Sequence, residues 1–189
     1  MPFAGKPGPA PTFVSSLVPL YHASFHGIGD AVAEIVTLPG QVLVSCGLVA
    51  IAAGTLWTRG RPAAAMTWAA AWTAAMVVEV AFRETLTRPA LFRHGLHLVA
   101  FDTSWPSGHA LRSGIAAAAL AAAWPRLRPL LAIWLAAVAV LLELAGFHTP
   151  TDVLGGVLLG TVAVAGALAL ERSGLLDRRR ALRGARPGT

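Results

Sequence analysis

Charged side chains are scarce in this sequence. Only 13% of the 189 residues are charged, whereas 56% are hydrophobic and the mean hydropathy is +0.64. A chain this apolar and this poor in charge falls outside the range of ordinary soluble domains. The composition therefore argues against a soluble protein and predicts one integral membrane domain.

Cysteine and lysine are nearly absent. Cys46 is the only cysteine, so no internal disulfide can form. Lys6 is the only lysine among fifteen basic residues, and the bias toward Ala, Arg and Gly is typical of a GC-rich bacterial genome. A formal charge of +6 would suggest a nucleic-acid partner in a soluble protein, but these arginines are scattered in short loops and a tail. We therefore interpret them as topology signals and expect no nucleic acid.

The two ends of the chain differ from its apolar middle. Residues 1–12 are rich in Pro and Gly and are expected to be disordered, and they lack the features of a cleavable signal. Residues 13–35 mix apolar and ionisable side chains, which favours an interfacial or re-entrant helix. We expect a single transmembrane domain over residues 13–171 and a basic cytoplasmic tail over residues 172–189.

Five hydrophobic runs approach the roughly 20 residues that cross a bilayer. They are residues 38–57, 63–82, 108–124, 129–146 and 150–170. With the N-terminal helix they predict an all-α, multi-pass membrane bundle of six helices. Arginines follow the first, third and fifth runs, and the positive-inside rule makes these regions cytoplasmic. Residues 83–107 and 146–152 then share the extracytoplasmic face of the cell inner (plasma) membrane.

Residues 105–109, with the sequence WPSGH, precede one of the predicted helices on this outer face. Ser107 is the expected N-cap, and the amides at a helix N-terminus form an anion site. Gly108 would let a phosphate approach the backbone closely. The alternative is a purely structural cap followed by an incidental His109 at the interface.

Residues 148–152, with the sequence HTPTD, begin the last predicted helix. Thr149 suits the N-cap and Asp152 its capping-box partner, so Asp152 also has a structural interpretation. If His148 and His109 converge, one imidazole can attack phosphorus and the other can protonate the leaving oxygen. Asp152 would orient the attacking ring.

Phosphoryl transfer requires cations around the equatorial oxygens. Arg83, Arg88 and Arg112 lie on the predicted outer side, and a guanidinium group matches phosphate oxygens in a bidentate manner. Glu79 precedes Arg83 by one helical turn and is expected to hold it. Arg112 shares a helix face with His109. For Arg83, Arg88 and Arg93, which also lies on this side, simple solvation of a loop is the alternative.

Three sequence blocks resemble the signature of a known family. Residues 82–89 (FRETLTRP), 106–109 (PSGH) and 148–156 (HTPTDVLGG) are similar to the blocks of the type 2 phosphatidic acid phosphatase (PAP2) superfamily. These membrane lipid phosphatases are related to vanadium haloperoxidases. The resemblance covers about residues 28–170 and implies a bundle of about six helices, with a reaction through a phosphohistidine that needs no metal or cofactor.

The resemblance also implies a role for each motif residue. His148 would be the nucleophile, Asp152 its orienter and His109 the acid that protonates the leaving group. Ser107 and Gly108 would bind the phosphate.

The first and third blocks depart from the family pattern. In the first block alanine replaces either the lysine or the arginine of the pattern, depending on the alignment. In the third block residues 141–142 are Leu-Leu where the family has Ser-Arg. We hypothesise that Arg88 and Arg112 supply the missing positive charge, and that Glu143 pairs with Arg112 or Arg83.

The sequence therefore predicts a hydrolase that acts on a phosphomonoester or diphosphate of a polyprenyl or glycerolipid at the extracytoplasmic face. Its expected partners are the lipid phosphate and the bilayer, and the sequence gives no oligomeric state. Three alternatives stay open. They are a lipid phosphotransferase, a catalytically silent protein that binds or moves a phospholipid headgroup, and a metal site built from His94, His97, His109, His148 and Asp152.

Overall fold

The structure, a computed structural model, describes residues 28–85, 105–145 and 147–174. Within these ranges the chain forms α-helices and short 3₁₀ turns and has no strand. The helices are α1 (Ile28–Thr37), α2 (Val42–Thr58), α3 (Pro62–Thr85), α4 (Gly108–Ala123), α5 (Arg128–Leu144) and α6 (Pro150–Ser173). The predicted all-α bundle of six helices is confirmed.

Helices α2 to α6 coincide with the five predicted spans, but they differ in length. Three segments are long and apolar enough to cross a membrane alone, namely Pro62–Thr85, Pro125–Leu144 and Pro150–Ser173. Ala31–Gly40 and Val42–Thr58 are long and apolar enough only if they are taken together, and they are bent by 52° at their junction. Helix α4 has 16 residues, fewer than the roughly 20 that cross the hydrocarbon core of a bilayer. Among the described residues, length and composition thus support three spans, or four if the bent pair counts as one.

The bend between α1 and α2 brings the N-terminal helix beside the rest of the bundle. Pro39 lies in the 3₁₀ turn Leu38–Gly40 and cannot donate to a continuing helix. Trp134 Nε1 of α5 donates to the Val36 carbonyl at 2.9 Å, which fixes α1 against α5. A Cβ atom at Gly40 would lie 2.9 Å from the His109 carbonyl oxygen. The turn therefore packs directly on the first turn of α4.

Helix α4 is the centre of the bundle and packs against α2, α3, α5 and α6. Its many alanines allow close approach of neighbouring backbones, which is how helices associate without a hydrophobic driving force. Gly156 and Gly160 of α6 face it: a Cβ at Gly156 would overlap the Ser107 carbonyl oxygen, and one at Gly160 would lie 3.3 Å from that of Leu111. This contact holds the start of α4 against the start of α6.

Two arginines after α2 join the helix ends at one end of the bundle. Arg59 donates to the Ala123 carbonyl and lies 5.8 Å from the centre of the Trp124 ring. Arg61 pairs with Glu171 near the end of α6. The arginine-rich connections therefore meet at one end, as the topology requires. The two sequence motifs lie at the other end.

Candidate active site

Two helix N-termini are joined at this second end. The Ser107 N–H donates to the Asp152 carbonyl at 3.0 Å, which links the start of α4 to the start of α6. The Ser107 Oγ accepts from the Ala110 N–H at 3.4 Å. At α6 the Thr149 Oγ1 accepts from the Asp152 N–H at 3.3 Å, and the Asp152 Oδ2 accepts from the Thr149 N–H at 3.0 Å. Both predicted caps are present.

The two imidazoles lie together at this junction. The ring centroids of His109 and His148 are 6.2 Å apart, with an angle of 57° between the ring planes. His109 is partly exposed, whereas His148 is buried. The backbone N–H of His148 donates to the Leu142 carbonyl at 3.1 Å, which fixes the backbone between α5 and α6. The expected convergence of the two rings is therefore present, although their chemical roles stay predictions.

Asp152 lies behind the His148 ring and is fully buried. Its Oδ2 is 3.9 Å from the His148 Nδ1, which is longer than a hydrogen bond. That Nδ1 is buried and finds no hydrogen-bond partner among the described residues. The carboxylate thus faces Nδ1 while it holds the helix cap, and Nε2 is the nitrogen left on the other side of the ring.

A buried ion cluster lies next to the junction. Glu79 of α3 is fully buried, and its Oε1 and Oε2 lie 2.6 and 2.5 Å from the Arg112 Nη1. The Arg83 Nε is 3.0 Å from the Glu79 Oε1. Arg112 also donates from Nε to the Gly40 carbonyl at 2.7 Å, and Arg83 donates from Nη2 to the Pro106 carbonyl at 3.2 Å. The Glu79 carboxylate therefore holds two guanidinium groups. Through these two arginines, α3 and α4 are also tied to the Leu38–Gly40 turn and to the WPSGH motif, residues 105–109.

The ion cluster agrees with the sequence analysis in one part and corrects it in another. The pairing of Glu79 with Arg83 is confirmed. The predicted pairing of Glu143 with Arg112 or Arg83 is wrong, because both arginines pair with Glu79. Glu79 and Arg112 belong to different helices, and no local spacing in the sequence signals a contact of this kind. The hydrogen bond from the Arg112 Nε to the Gly40 carbonyl was not predicted for the same reason.

Gly108 makes room for this cluster. A Cβ atom at this position would overlap the Glu79 Oε1 and the Arg112 guanidinium. The sequence suggested that a glycine here would admit a phosphate, and the structure adds a second reason for the same residue.

Trp105, the first residue of the WPSGH motif, packs against two neighbouring helices. Its ring packs edge-on against Phe82 at a centroid distance of 5.2 Å. A Cβ at Gly155 would lie 2.6 Å from its Nε1. Through Trp105, the WPSGH motif thus packs between the end of α3 and the start of α6.

Some predicted site residues lie outside the described residues. These are Arg88, His94 and His97. Within the part of the chain that the structure describes, no group of three or more His, Cys, Asp or Glu residues is placed to hold a metal ion. The substrate-binding role of Arg88 and the metal alternative are therefore untested.

Comparison with known protein families identifies the family of this chain. The sequence profile of the PAP2 superfamily matches residues 36–172, which include both histidines, Asp152 and the ion cluster. The chain belongs to the PAP2 superfamily. The resemblance seen in the three sequence blocks is confirmed.

One solved structure has a similar fold. It is that of the first transmembrane PAP2 type phosphatidylglycerolphosphate phosphatase from Bacillus subtilis, with a TM-score of 0.72 and 18% sequence identity over 87% of this chain and 89% of that chain. No curated protein sequence matched. This PAP2 protein therefore has the fold of a transmembrane phosphatase.

Proposed function

We propose that this PAP2 protein hydrolyses a phosphomonoester or diphosphate of a polyprenyl or glycerolipid through a phosphohistidine. The observation that carries the proposal is the pair of imidazoles, whose centroids are 6.2 Å apart, with the Asp152 carboxylate behind one of them. A gap of this size between two titratable rings suits a single tetrahedral phosphate. Two helix N-termini add favourable dipoles beside it.

The first half-reaction transfers the phosphoryl group to the protein. The His148 Nε2 lone pair attacks phosphorus, and the bond between phosphorus and the lipid oxygen breaks. His109, protonated at the start, gives its proton to that oxygen, so the lipid leaves as an alcohol or as a lipid monophosphate. Asp152 stabilises the positive charge on the His148 ring, and we expect the 3.9 Å separation to shorten when substrate is bound.

The second half-reaction regenerates both histidines. Neutral His109 takes a proton from a water molecule, whose oxygen attacks phosphorus. The bond between phosphorus and the His148 Nε2 breaks, and inorganic phosphate leaves. The proton gained by His109 restores the acid for the next cycle.

Charge balance at the site supports a protonated His109. Arg83 and Arg112 carry two positive charges, and Glu79 and Asp152 carry two negative charges that cancel them. With neutral imidazoles these four groups leave no net charge to attract a phosphate. The extra positive charge must come from protonated His109 or from Arg88, since developing charge on the phosphoryl oxygens requires it.

The site faces the extracytoplasmic side in this proposal. Arg59, Arg61 and Arg128 lie at the helix ends opposite to His109 and His148, and the positive-inside rule places such arginines in the cytoplasm. Labelling of single cysteines introduced at Thr151 and at Thr58 by an impermeant thiol reagent in intact cells tests the orientation. The Cys46→Ser background is needed because Cys46 is exposed on the helix surface. We expect label at position 151 and none at position 58.

Phosphate release from a panel of prenyl and glycerolipid phosphates tests the reaction itself. The native chain should release phosphate, and His148→Ala should release at least about a thousandfold less. Vanadate should inhibit, and EDTA should have no effect. Loss of activity in EDTA that zinc restores would overturn the histidine mechanism in favour of a metal site. Transfer of the phosphoryl group to an added alcohol would identify a phosphotransferase.

The missing arginine of the third block can be tested by moving it back. Leu142 occupies that position and is fully buried against Ala110, Val138 and Val153. If Arg112 supplies the missing charge, Arg112→Met should lower kcat by about a hundredfold, the usual cost of losing one oxyanion donor. Leu142→Arg in the Arg112→Met background should then restore at least part of that loss. Full activity of Arg112→Ala on every lipid phosphate would show that the hypothesis is wrong.

A catalytically silent protein that binds a phospholipid headgroup is the second function to consider. It is favoured by the engagement of Arg112 with Glu79 and Gly40, which holds this guanidinium inside the protein. Purified protein that binds a lipid phosphate but releases no inorganic phosphate would identify it.

A further inference from the structure

The turn between α1 and α2 lies in direct contact with the backbone of His109. Gly40 is the last residue of this turn and is buried. A Cβ atom added to Gly40 would lie 2.9 Å from the carbonyl oxygen of His109 and 3.0 Å from its Cα. Carbon atoms are in optimal contact at about 3.5–4.0 Å, so a side chain at this position would overlap the first turn of α4. Only glycine allows the turn to lie this close to His109.

Hydrogen bonds from two neighbouring helices hold the turn in this place. The Gly40 carbonyl accepts from the Arg112 Nε of α4 at 2.7 Å. Arg112 is itself held by the buried carboxylate of Glu79. The Val36 carbonyl, just before the turn, accepts from the Trp134 Nε1 of α5 at 2.9 Å. The turn therefore cannot swing away from α4 without breaking these hydrogen bonds.

The start of α4 is also fixed by α6. The Ser107 N–H donates to the Asp152 carbonyl at 3.0 Å, and a Cβ atom at Gly156 would overlap the Ser107 carbonyl oxygen. His109 is the second residue of α4, so its backbone belongs to a short segment that both α6 and the turn contact. The position of that backbone determines where the imidazole of His109 can lie relative to that of His148.

We infer that Gly40 is a positioning residue for His109, the proposed proton donor. The inference rests on the proposed function, in which His109 protonates the oxygen of the leaving lipid. Gly40 has no side chain to offer the substrate, so it acts through His109. The close approach of the turn sets the place of the His109 backbone, and therefore the distance from the imidazole to the leaving oxygen.

A methyl group at Gly40 should impair proton donation more than nucleophilic attack. To reach ordinary contact between carbon atoms, the Cα of His109 must move by about 0.5 Å. A misplacement of about 1 Å can lower a rate about a hundredfold, so half of that distance corresponds to about tenfold. His148 lies in the connection between α5 and α6, where the Leu142 carbonyl holds its backbone N–H. Attack by His148 on phosphorus should therefore change less.

Two substrates separate these steps, because they differ in their need for a proton. The lipid of phosphatidic acid leaves as an alcohol and requires protonation, whereas 4-nitrophenyl phosphate releases a stable phenolate. The ratio kcat/KM reports the first half-reaction, because the leaving group departs before the phosphohistidine is hydrolysed. Gly40→Ala should lower kcat/KM for phosphatidic acid by about tenfold and that for the aryl phosphate by at most about twofold. A purely structural role would reduce the amount of active protein and lower both values by the same factor.

Three further variants serve as controls. Gly54→Ala should change neither value, because Gly54 is exposed on α2 and an added Cβ meets nothing within 4 Å. His109→Ala should show the same preference for the aryl phosphate in larger form, since loss of a general acid costs about a hundredfold or more. The Ser113 Oγ would lie 2.8 Å from the added Cβ and finds no hydrogen-bond partner among the described residues. In Gly40→Ala with Ser113→Ala the preference should persist, because the overlap with the His109 backbone remains.

Trp134→Phe tests the turn without adding any atom near His109. It keeps an aromatic ring and removes the hydrogen bond to the Val36 carbonyl, so the turn is held less firmly. The same selective loss should appear at about threefold. An equal loss for both substrates in Gly40→Ala, or restoration by Ser113→Ala, would overturn the inference. If Gly40→Ala does not fold, an unchanged ratio of the two substrates in Trp134→Phe would overturn it.

A second measurement does not depend on turnover. In protein labelled at histidine, the NMR resonances of the His109 imidazole are assigned by their loss in His109→Gln. Gly40→Ala should shift these resonances, and Gly54→Ala should leave them in place. Shifted resonances in a protein that releases no phosphate would sustain the positioning of His109 by Gly40 and reject hydrolysis. Phosphate release with resonances that Gly40→Ala does not shift would reject the role of Gly40 alone.

Discussion

The two ends of the bundle hold the same kind of ion pair in opposite environments. At one end, Arg61 pairs with Glu171, and their side chains are 49% and 22% exposed. At the other end, Glu79 pairs with Arg83 and Arg112, and the three side chains are 0%, 8% and 4% exposed. An exposed pair contributes about 1 kcal/mol at most. A buried pair costs several kcal/mol per ion in lost hydration before any attraction is counted.

This difference separates charges that orient the protein from charges that build a site. Exposed arginines at a helix end need only face the correct side of the membrane, and a partner adds little. Buried ionisable groups within a membrane bundle are expensive and are usually retained for function. The Glu79 cluster lies against the first turn of α4, which carries His109, so we propose that its cost is retained for the positioning of the two histidines.

Glu79→Gln should have the largest effect, because it removes the shared counterion of two buried cations. We expect the free energy of unfolding to fall by about 3–5 kcal/mol and turnover to be lost. Thermal unfolding in detergent and phosphate release measure the two effects. Adding Arg112→Met should recover part of the stability, since one uncompensated charge disappears. If Glu79→Gln were as stable as the native protein, the contrast between the two ends would fail.

Asp152→Asn separates the two roles of the buried carboxylate. The asparagine oxygen can still accept the cap hydrogen bond from the Thr149 N–H, so stability should change by less than about 1 kcal/mol. Without its charge the His148 imidazolium is unsupported, so kcat should fall by about a hundredfold or more. The control Thr149→Val removes the cap hydroxyl and should cost about 1 kcal/mol of stability. Parallel losses of stability and turnover in Asp152→Asn would favour a purely structural cap.

Gly108→Ala tests how tightly the ion cluster is packed. The new methyl group would overlap the Glu79 carboxylate and the Arg112 guanidinium, and overpacking of this kind costs about 1–3 kcal/mol. Gly47→Ala is the control, because a Cβ there meets nothing within 4 Å. In the middle of α2 that change should stabilise the helix by about 0.5–1 kcal/mol. Urea or thermal unfolding of both variants should therefore give shifts of opposite sign.

Glu171→Gln should have the smallest effect. Its partner Arg61 is half exposed, and water and salt already screen the pair. We expect a change in stability below about 1 kcal/mol and native turnover in the phosphate-release assay. A large loss of either would mean that the opposite end of the bundle also contributes to the site.

Local signals in the sequence predicted a large part of the fold and the frame of the site. Hydrophobic run length located helices α2 to α6, and cap residues located the starts of α4 and α6. The alternation of arginine-rich and motif-bearing connections put His109 and His148 at the same end. Each of these features depends only on residues that are close together in the sequence, so it can be recognised without knowledge of the tertiary structure.

Contacts between helices were harder to predict. The partner of Arg112 was assigned to Glu143 on α5, whereas the structure places Glu79 of α3 beside it. The bend at Leu38–Gly40 was expected only as a boundary between a surface helix and a span, and its carbonyl bond to Arg112 was not anticipated. Spacing along one helix gives the face on which a residue lies, but it does not give the helix that this face meets.

The sequence alone determined that this protein is a bundle of membrane helices with two histidines and one carboxylate at a shared end, because burial, capping and charge asymmetry follow from local composition. The tertiary structure alone decided which carboxylate holds Arg83 and Arg112 and why position 108 is glycine. Helices that are apolar on nearly every side carry little information about their rotation in a bilayer. That rotation is set by close packing between them, and the geometry of the site depends on it.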